Sequence, residues 1–596
     1  MKGRKLKTLV LIISLFFISS SILSRNVFFV RSWESSATGV CTEAEEQIAP
    51  SITKTSDGGT IIAWMDNRSV DYDIYAQKLD SYGNAQWTID GVAVCSEIAD
   101  QGSPRVCSDQ AGGAIIVWMD WSPYPEYDLY AQRIDSTGNI LWDPSGVVIC
   151  NATDVQWNLD MCSDGLGGAI IVWQDYRSAV TDADIYAQRI NQNGETLWND
   201  NGTKVCDATD DQRFPKLTVT FTGRIYFTWA DSRLGASDIN IYSQQFNLNG
   251  TAIWPNNGYI VCNVAGEQNF PGIISSGSGI IVTWTDLRDD PLGDIYAQRL
   301  DYSGVLEWGL GLGIPICNAN DSQYNAQICS DMASGAIIVW TDKRTNSQND
   351  IYAQRINWTG DALWTPNGTA VCTAINDQSG AMIISDGASG AMIVWSDNRN
   401  PSYWLLYGQR ILANGTNIWT DGLAVDSSIG CDQFSQRLVL TEPGIAIVTW
   451  DDDRSGGKRD IWAEYFIDEE NPTSNSPADS VYEEGEIGII QWILSDNAGG
   501  GYYRVKINGT DYIPWTEWDI GENLQVPINT TVVGIWEYTI EYYDAKGFMG
   551  IPDTVSIRIT EKPSEGSPKI FGYDLLLIIS CLLLGILILK MKIKKK

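Results

Sequence analysis

The chain has 596 residues, too many for one domain, and carries 40 Lys and Arg against 74 Asp and Glu, a net charge of −34. An acidic surface spread along the chain argues against nucleic acid or anionic membrane as a binding partner, since counterion release needs Lys/Arg clusters. Histidine is absent, which excludes His-based triads, His general bases, His metal ligands and His pH switches.

The N-terminus sets Lys2, Arg4, Lys5 and Lys7 before an apolar run from Thr8 to Leu23. That is the pattern of a secretory signal over 1–24, with an uncleaved anchor as the other reading.

Beyond it the chain repeats. A tryptophan closing an apolar run recurs at Trp64, Trp118, Trp173, Trp229, Trp284, Trp340, Trp395 and Trp450, at spacings of 54 to 56 residues. A second tryptophan series begins at Trp33 and a glutamine series at Gln47, both with the same period. One unit reads as four strands: LDMCSD, AIIVWQD after a Gly turn, DIYAQRI after a polar loop, and ETLW…TKVC after an Asn-Gly turn. AIIVW is apolar throughout, as a strand covered on both faces should be. The last unit stops after its third strand, RDIWAEYFID at 459–468, and the missing segment stands at the front as SWESSATGVC. These features predict an all-β, closed eight-bladed β-propeller over 33–468, with strand 33–41 completing the last blade.

The unit SDGLGGAIIVWQDYRSAVTDADIYAQRINQNG resembles the WD40-like repeat of TolB-type propellers. The resemblance implies a propeller fold and a protein-binding role, and it carries over no catalytic residue.

The period ends near 471, where NPTSNSPADSVYEEGE opens a segment of alternating short strands up to about 562. The reading is an Ig-like sandwich over 471–562, with YTIEYYDAKGFMGIPDTVSIRI resembling the closing hairpin of prokaryotic Ig-like surface modules. A linker, 563–570, leads to an apolar transmembrane helix over 571–593. The lysines after Leu589 place that end in the cytoplasm, with a cleaved sorting signal as the alternative.

Seven W-x-D-x-R motifs pair Asp66 with Arg68, Asp175 with Arg177, and so on to Asp452 with Arg454; the second repeat breaks the series with WMDWSPYPE. A feature copied in nearly every blade reads as scaffold, so ligand-binding residues are sought where the copies differ. Those are Trp121, Tyr124 and Tyr127 in the second repeat, Trp157 next to it, and Tyr403 and Trp404 in the seventh. Exposed aromatics of this kind grip sugar rings or protein side chains; packing between loops is the competing reading. No catalytic residue and no metal ligand stands out. The acidic runs 286–294 and 451–460 leave calcium open, although neither has EF-hand spacing. Three twelve-residue spacings, Cys95–Cys107, Cys150–Cys162 and Cys317–Cys329, are compatible with disulfides, buried thiols being the alternative. Sequons such as Asn151, Asn249 and Asn508 suit a glycoprotein.

The expectation is therefore a membrane-anchored bacterial or archaeal cell-surface protein. It is a non-catalytic binding, adhesion or envelope protein without cofactor, whose partner is an extracellular protein or glycan. The alternative is an extracellular polysaccharide hydrolase or lyase working through Asp/Glu in the propeller funnel.

Overall fold

The computed structural model describes residues 37–562, except 82, 123–125, 180–181, 278, 345–347, 427–429, 443, 455, 467–472, 496–500, 519–522, 545–549 and 551. The segments read as signal, linker and transmembrane helix lie outside the described residues. Among those described, no helix is long and apolar enough to cross a membrane. The chain divides into two compact units, Met1–Glu469 and Glu470–Lys596.

The first unit is built from eight four-stranded antiparallel sheets. Sheet one comprises Gln47–Lys54, Thr60–Asp66, Asp73–Leu79 and Val92–Cys95, in that spatial order, and the next six repeat its plan. Sheet eight takes three strands from the end of the unit, Gln433–Glu442, Ile445–Asp452 and Asp460–Phe466, and its fourth, Thr38–Cys41, from the beginning. Thr38 pairs with Ala463 and Gly39 with Trp462. First strands of successive sheets are neighbours all along the unit, and the first strand of sheet eight neighbours that of sheet one.

Second strands explain the stacking. Thr60–Asp66 is buried at every position, because Ile62 and Trp64 pack toward sheet eight while Ile61, Ala63 and Met65 pack toward sheet two. With no polar face to offer water, such a strand is stable only between two neighbouring sheets. The turn before it needs glycine for a steric reason: a Cβ on Gly59 would stand 2.5 Å from the Leu79 carbonyl oxygen.

All eight first strands share a device that the repeat period does not announce. Two residues after the leading glutamine the backbone enters positive φ: Ala49 at 55°, Ser103 at 51°, Asn158 at 50°, Phe214 and Phe270 at 55°, Asn325 at 56°, Gly380 at 67° and Ser435 at 55°. Each coincides with a break in the pairing register, as between Ile48 and Ser51. These are β-bulges, held although seven of the eight residues are not glycine.

The three candidate disulfides are not formed; all eleven described cysteines are free thiols. The reason is placement. Cys150 ends the outermost strand of sheet two, whereas Cys162 lies on the innermost strand of sheet three opposite Ile170. Cys95 with Cys107 and Cys317 with Cys329 repeat that separation.

In the second unit a three-stranded and a five-stranded sheet enclose one core containing Trp492, Val505, Tyr538 and Ile557. Its strands are antiparallel except for Ser480–Glu483, which pairs parallel with Asp553–Thr560.

Candidate functional site

The W-x-D-x-R motif is a rivet between sheets. Asp66 is fully buried and accepts the Trp64 indole N–H at 2.8 Å and the Arg68 Nε–H and Nη2–H at 2.9 and 2.6 Å. Arg68 also donates to the Asp90 carbonyl at 2.7 Å and to the Cys41 sulfur, in the neighbouring sheet, at 3.2 Å. Its guanidinium lies 3.9 Å above the Tyr75 ring. The same set recurs at Arg177 with Cys150 and at Arg344 with Cys317. This accounts for the strand-end cysteine, which burial first of all pushes up to about 12 in pKa at Cys150 and Cys317. The Asp66 carboxylate and the Nε and Nη2 donors of Arg68 are spent on the scaffold.

Sheet two departs from the plan at this point. The position two after Asp120 is Ser122, so in place of a guanidinium the carboxylate receives the Ser122 amide N–H at 3.0 Å and the Gln101 side chain. Among the described residues no cation lies within 4 Å of it. Directly opposite, in the cross-strand pair of second and third strands, stands Asp128. Burial, then the charges of Asp120 and Glu126, push the Asp128 carboxyl up to about 6. Asp120 is raised as well, chiefly by burial. Facing aspartates occur in other sheets too, as Asp286 with Asp294, whose carboxyl burial also raises to about 6, but there the first aspartate is paired with its arginine. In sheet two the pair has no such arginine.

Aromatic side chains line this departure. Trp121 follows Asp120 directly, its ring centroid 5.9 Å from that of Tyr127, which in turn is 5.9 Å from Trp157. Trp157 is 41 % exposed. Trp121 packs closely over Gly102, where a Cβ would come within 2.7 Å of its ring. The structure thus joins three of the six aromatics singled out from the sequence. Tyr124 lies outside the described residues. Tyr403 and Trp404 are half-buried in sheet seven, with their amides bonded to Asn400 and Asp432, and no described ring contact ties them to the other three. The acidic runs considered for calcium are engaged internally: Asp286 by Arg288, Asp289 by the Tyr296 hydroxyl, Asp451 by Arg459.

Sequence reasoning noted the broken motif of sheet two for its aromatics and passed over its carboxylates. The signal was present, since Asp120 keeps the aspartate of the motif and loses only the arginine.

No known protein-family model matches this chain, and no curated protein does. Among solved structures it is similar to a protein of unknown function from Dyadobacter fermentans, at 9 % identity and a TM-score of 0.35, covering 72 % of this chain and 97 % of that one. It is similar to the GH93 α-L-arabinofuranosidase of Fusarium graminearum, at 12 % identity and a TM-score of 0.32, covering 52 % and 93 %. A third is a PL25 ulvan lyase, at 10 % identity and a TM-score of 0.36, covering 72 % and 95 %. Against the expectation of a protein without catalysis, solved structures of this kind are named as a glycoside hydrolase and polysaccharide lyases rather than as binding or adhesion proteins; their TM-scores, all below 0.5, assign this chain no activity. The TolB-type resemblance gains no matching family.

Proposed function

We propose that the chain is an extracellular enzyme acting on polysaccharide, with Asp120 and Asp128 of sheet two as its working carboxylates. The observation that carries this reading is the unneutralised pair itself. Seven sheets spend an arginine on the equivalent aspartate, while the second leaves it facing Asp128 with no cation within 4 Å among the described residues. Glycosidic cleavage calls for one carboxyl that is protonated and one that is ionised, and Asp128, held up to about 6, suits the protonated role. In this assignment Asp128 donates the proton to the leaving oxygen and Asp120 acts as base or stabilising anion. Trp121, Tyr127 and Trp157 form the platform on which sugar rings stack.

The finer architecture belongs to the same proposal. The circuit of first strands closes into an eight-bladed propeller, clasped by Thr38–Cys41, and residues 471–562 form an Ig-like spacer. The segments 1–24 and 571–596 support a single-pass placement in the cell membrane with the sheets outside.

A screen of acidic and neutral polysaccharides with the full chain, read by reducing ends and by absorbance of unsaturated products, tests the assignment. Turnover that falls at least 100-fold in Asp128→Asn, without loss of melting temperature, is the expected result. Absence of turnover across the panel, or turnover indifferent to Asp120→Asn and Asp128→Asn, would overturn it.

A further inference from the structure

The first residue after each bulge, four beyond the leading glutamine, differs from sheet to sheet: Ser51, Arg105, Asp160, Lys216, Gly272, Gln327, Met382 and Arg437. These positions share one level on the innermost strands. Since glycine, methionine and glutamine all serve there, the fold does not demand a cation at this level.

Arg105 and Arg437 flank sheet one, whose own residue, Ser51, is short. Both are half-buried, and their donations go only to backbone among the described residues: Arg105 to the Pro104 carbonyl at 3.0 Å, Arg437 to the Gln436 carbonyl at 2.8 Å. Among the described residues neither has a carboxylate within 4 Å. The nearby acids are already engaged. Asp160 accepts the Leu217 amide at 3.2 Å and faces Lys216 at 4.0 Å, and Asp451 takes Arg459 at 2.9 Å and the Ala49 amide at 3.3 Å. In a chain with 34 more acidic than basic side chains, two half-buried arginines without a carboxylate within 4 Å are conspicuous. Desolvation first, and then the charge of Arg105, hold the Arg437 guanidinium down to about 10, so the two groups sense each other. Like charges buried together destabilise a fold unless something of opposite charge joins them.

We infer that Arg105 and Arg437, set at one level on the strands that flank Ser51, form a binding site for an oxyanion, the carboxylate or sulfate group of an acidic sugar chain or the free inorganic ion. Two guanidinium forks suit the planar or tetrahedral oxygens of such groups through paired charge-assisted hydrogen bonds. The site is distinct from Asp120 and Asp128, and its readout is binding, so either assignment can fail alone.

The experiment is calorimetric titration of the full chain with sodium sulfate and with trigalacturonate, ionic strength held constant with sodium chloride. One site is expected, weakened at least tenfold in Arg105→Gln and in Arg437→Gln but unchanged in Lys216→Gln, whose cation faces Asp160. Trigalacturonate binding at least tenfold tighter than sulfate assigns the site to a sugar chain, and equal affinities assign it to the free ion. In chloride alone Arg437→Gln is expected to melt above wild type, because a half-buried charge has been removed. Binding of neither anion, or binding that survives the double substitution, overturns the inference.

Discussion

Asp120 and Asp128 face each other across neighbouring strands of sheet two, at the place where Asp66 and its counterparts in the six other sheets hold an arginine. What separates this pair from a rivet is one residue, Ser122, where the other sheets carry arginine.

Restoring the rivet should therefore remove the chemistry. Ser122→Arg places a guanidinium where Arg68 stands in sheet one, with Tyr130 available beneath it as Tyr75 is for Arg68. Stability is expected to rise by about 1–3 kcal/mol from the charge-assisted bonds, while turnover on any accepted polysaccharide falls at least tenfold. Denaturant unfolding and initial rates on the same preparation check both. A variant that is stabilised and fully active would detach catalysis from this pair.

Asp128 also predicts a pH dependence of stability. Its folded pKa is raised to about 6, above the usual carboxylate value near 3.9. The folded state therefore holds the extra proton between about pH 4 and pH 6, and the stability this lends is full below that window and lost as pH rises through it. Asp128→Asn is expected to melt higher than wild type at pH 7.5 and to match it at pH 4. Thermal unfolding at the two pH values decides, and an equal difference at both would contradict the assignment.

Rivets elsewhere should fail asymmetrically. In sheet six, Arg344→Met leaves the buried Asp342 carboxylate with the Trp340 indole, the local amide and the Cys317 thiol but no cation, and a cost of about 3–5 kcal/mol is expected. Asp342→Asn is expected to cost less, because Arg344 is partly exposed and keeps the Asn367 carbonyl. Denaturant midpoints of the two variants give the order.

The bulges offer a test in which glycine should help. Ala49 adopts φ 55°, a region that costs an L-residue roughly 1–2 kcal/mol. Ala49→Gly is expected to stabilise by about 0.5–1 kcal/mol despite the entropy of the unfolded chain, and Ala49→Val to destabilise. A neutral valine would show that the strand repairs its own register.

How far the sequence reveals all this depends on the kind of interaction. The sheets were legible because the apolar run ending at Trp64 and its seven copies fix strand, face and period. The role of Asp66 and Arg68 as scaffold follows from repetition alone. The bulges were not legible, since Ala49, Phe214 and Asn325 have no common side-chain chemistry; the shared feature is backbone conformation. The tie between Arg68 and Cys41 joins residues 27 positions apart across two sheets, so cysteine spacing along the chain suggested bridges where the fold places thiols under guanidinium groups. Arg105 and Arg437 lie far apart in sequence, and only the sequence of neighbouring sheets brings them to one level.

Sheet eight has a consequence for biogenesis. Its fourth strand, Thr38–Cys41, is made at the start of synthesis and must wait for Asp460–Phe466 before it has a partner. More than 400 residues of chain intervene, so this clasp is the last contact of the first unit that a chain growing from its N-terminus can make. Until then the third strand of sheet eight is a bare edge, open to pairing with another copy. A short early segment held in reserve thus makes the assembly all-or-none: a product truncated anywhere before residue 460 leaves Thr38–Cys41 unpaired at one end and is marked as incomplete by its own exposed backbone.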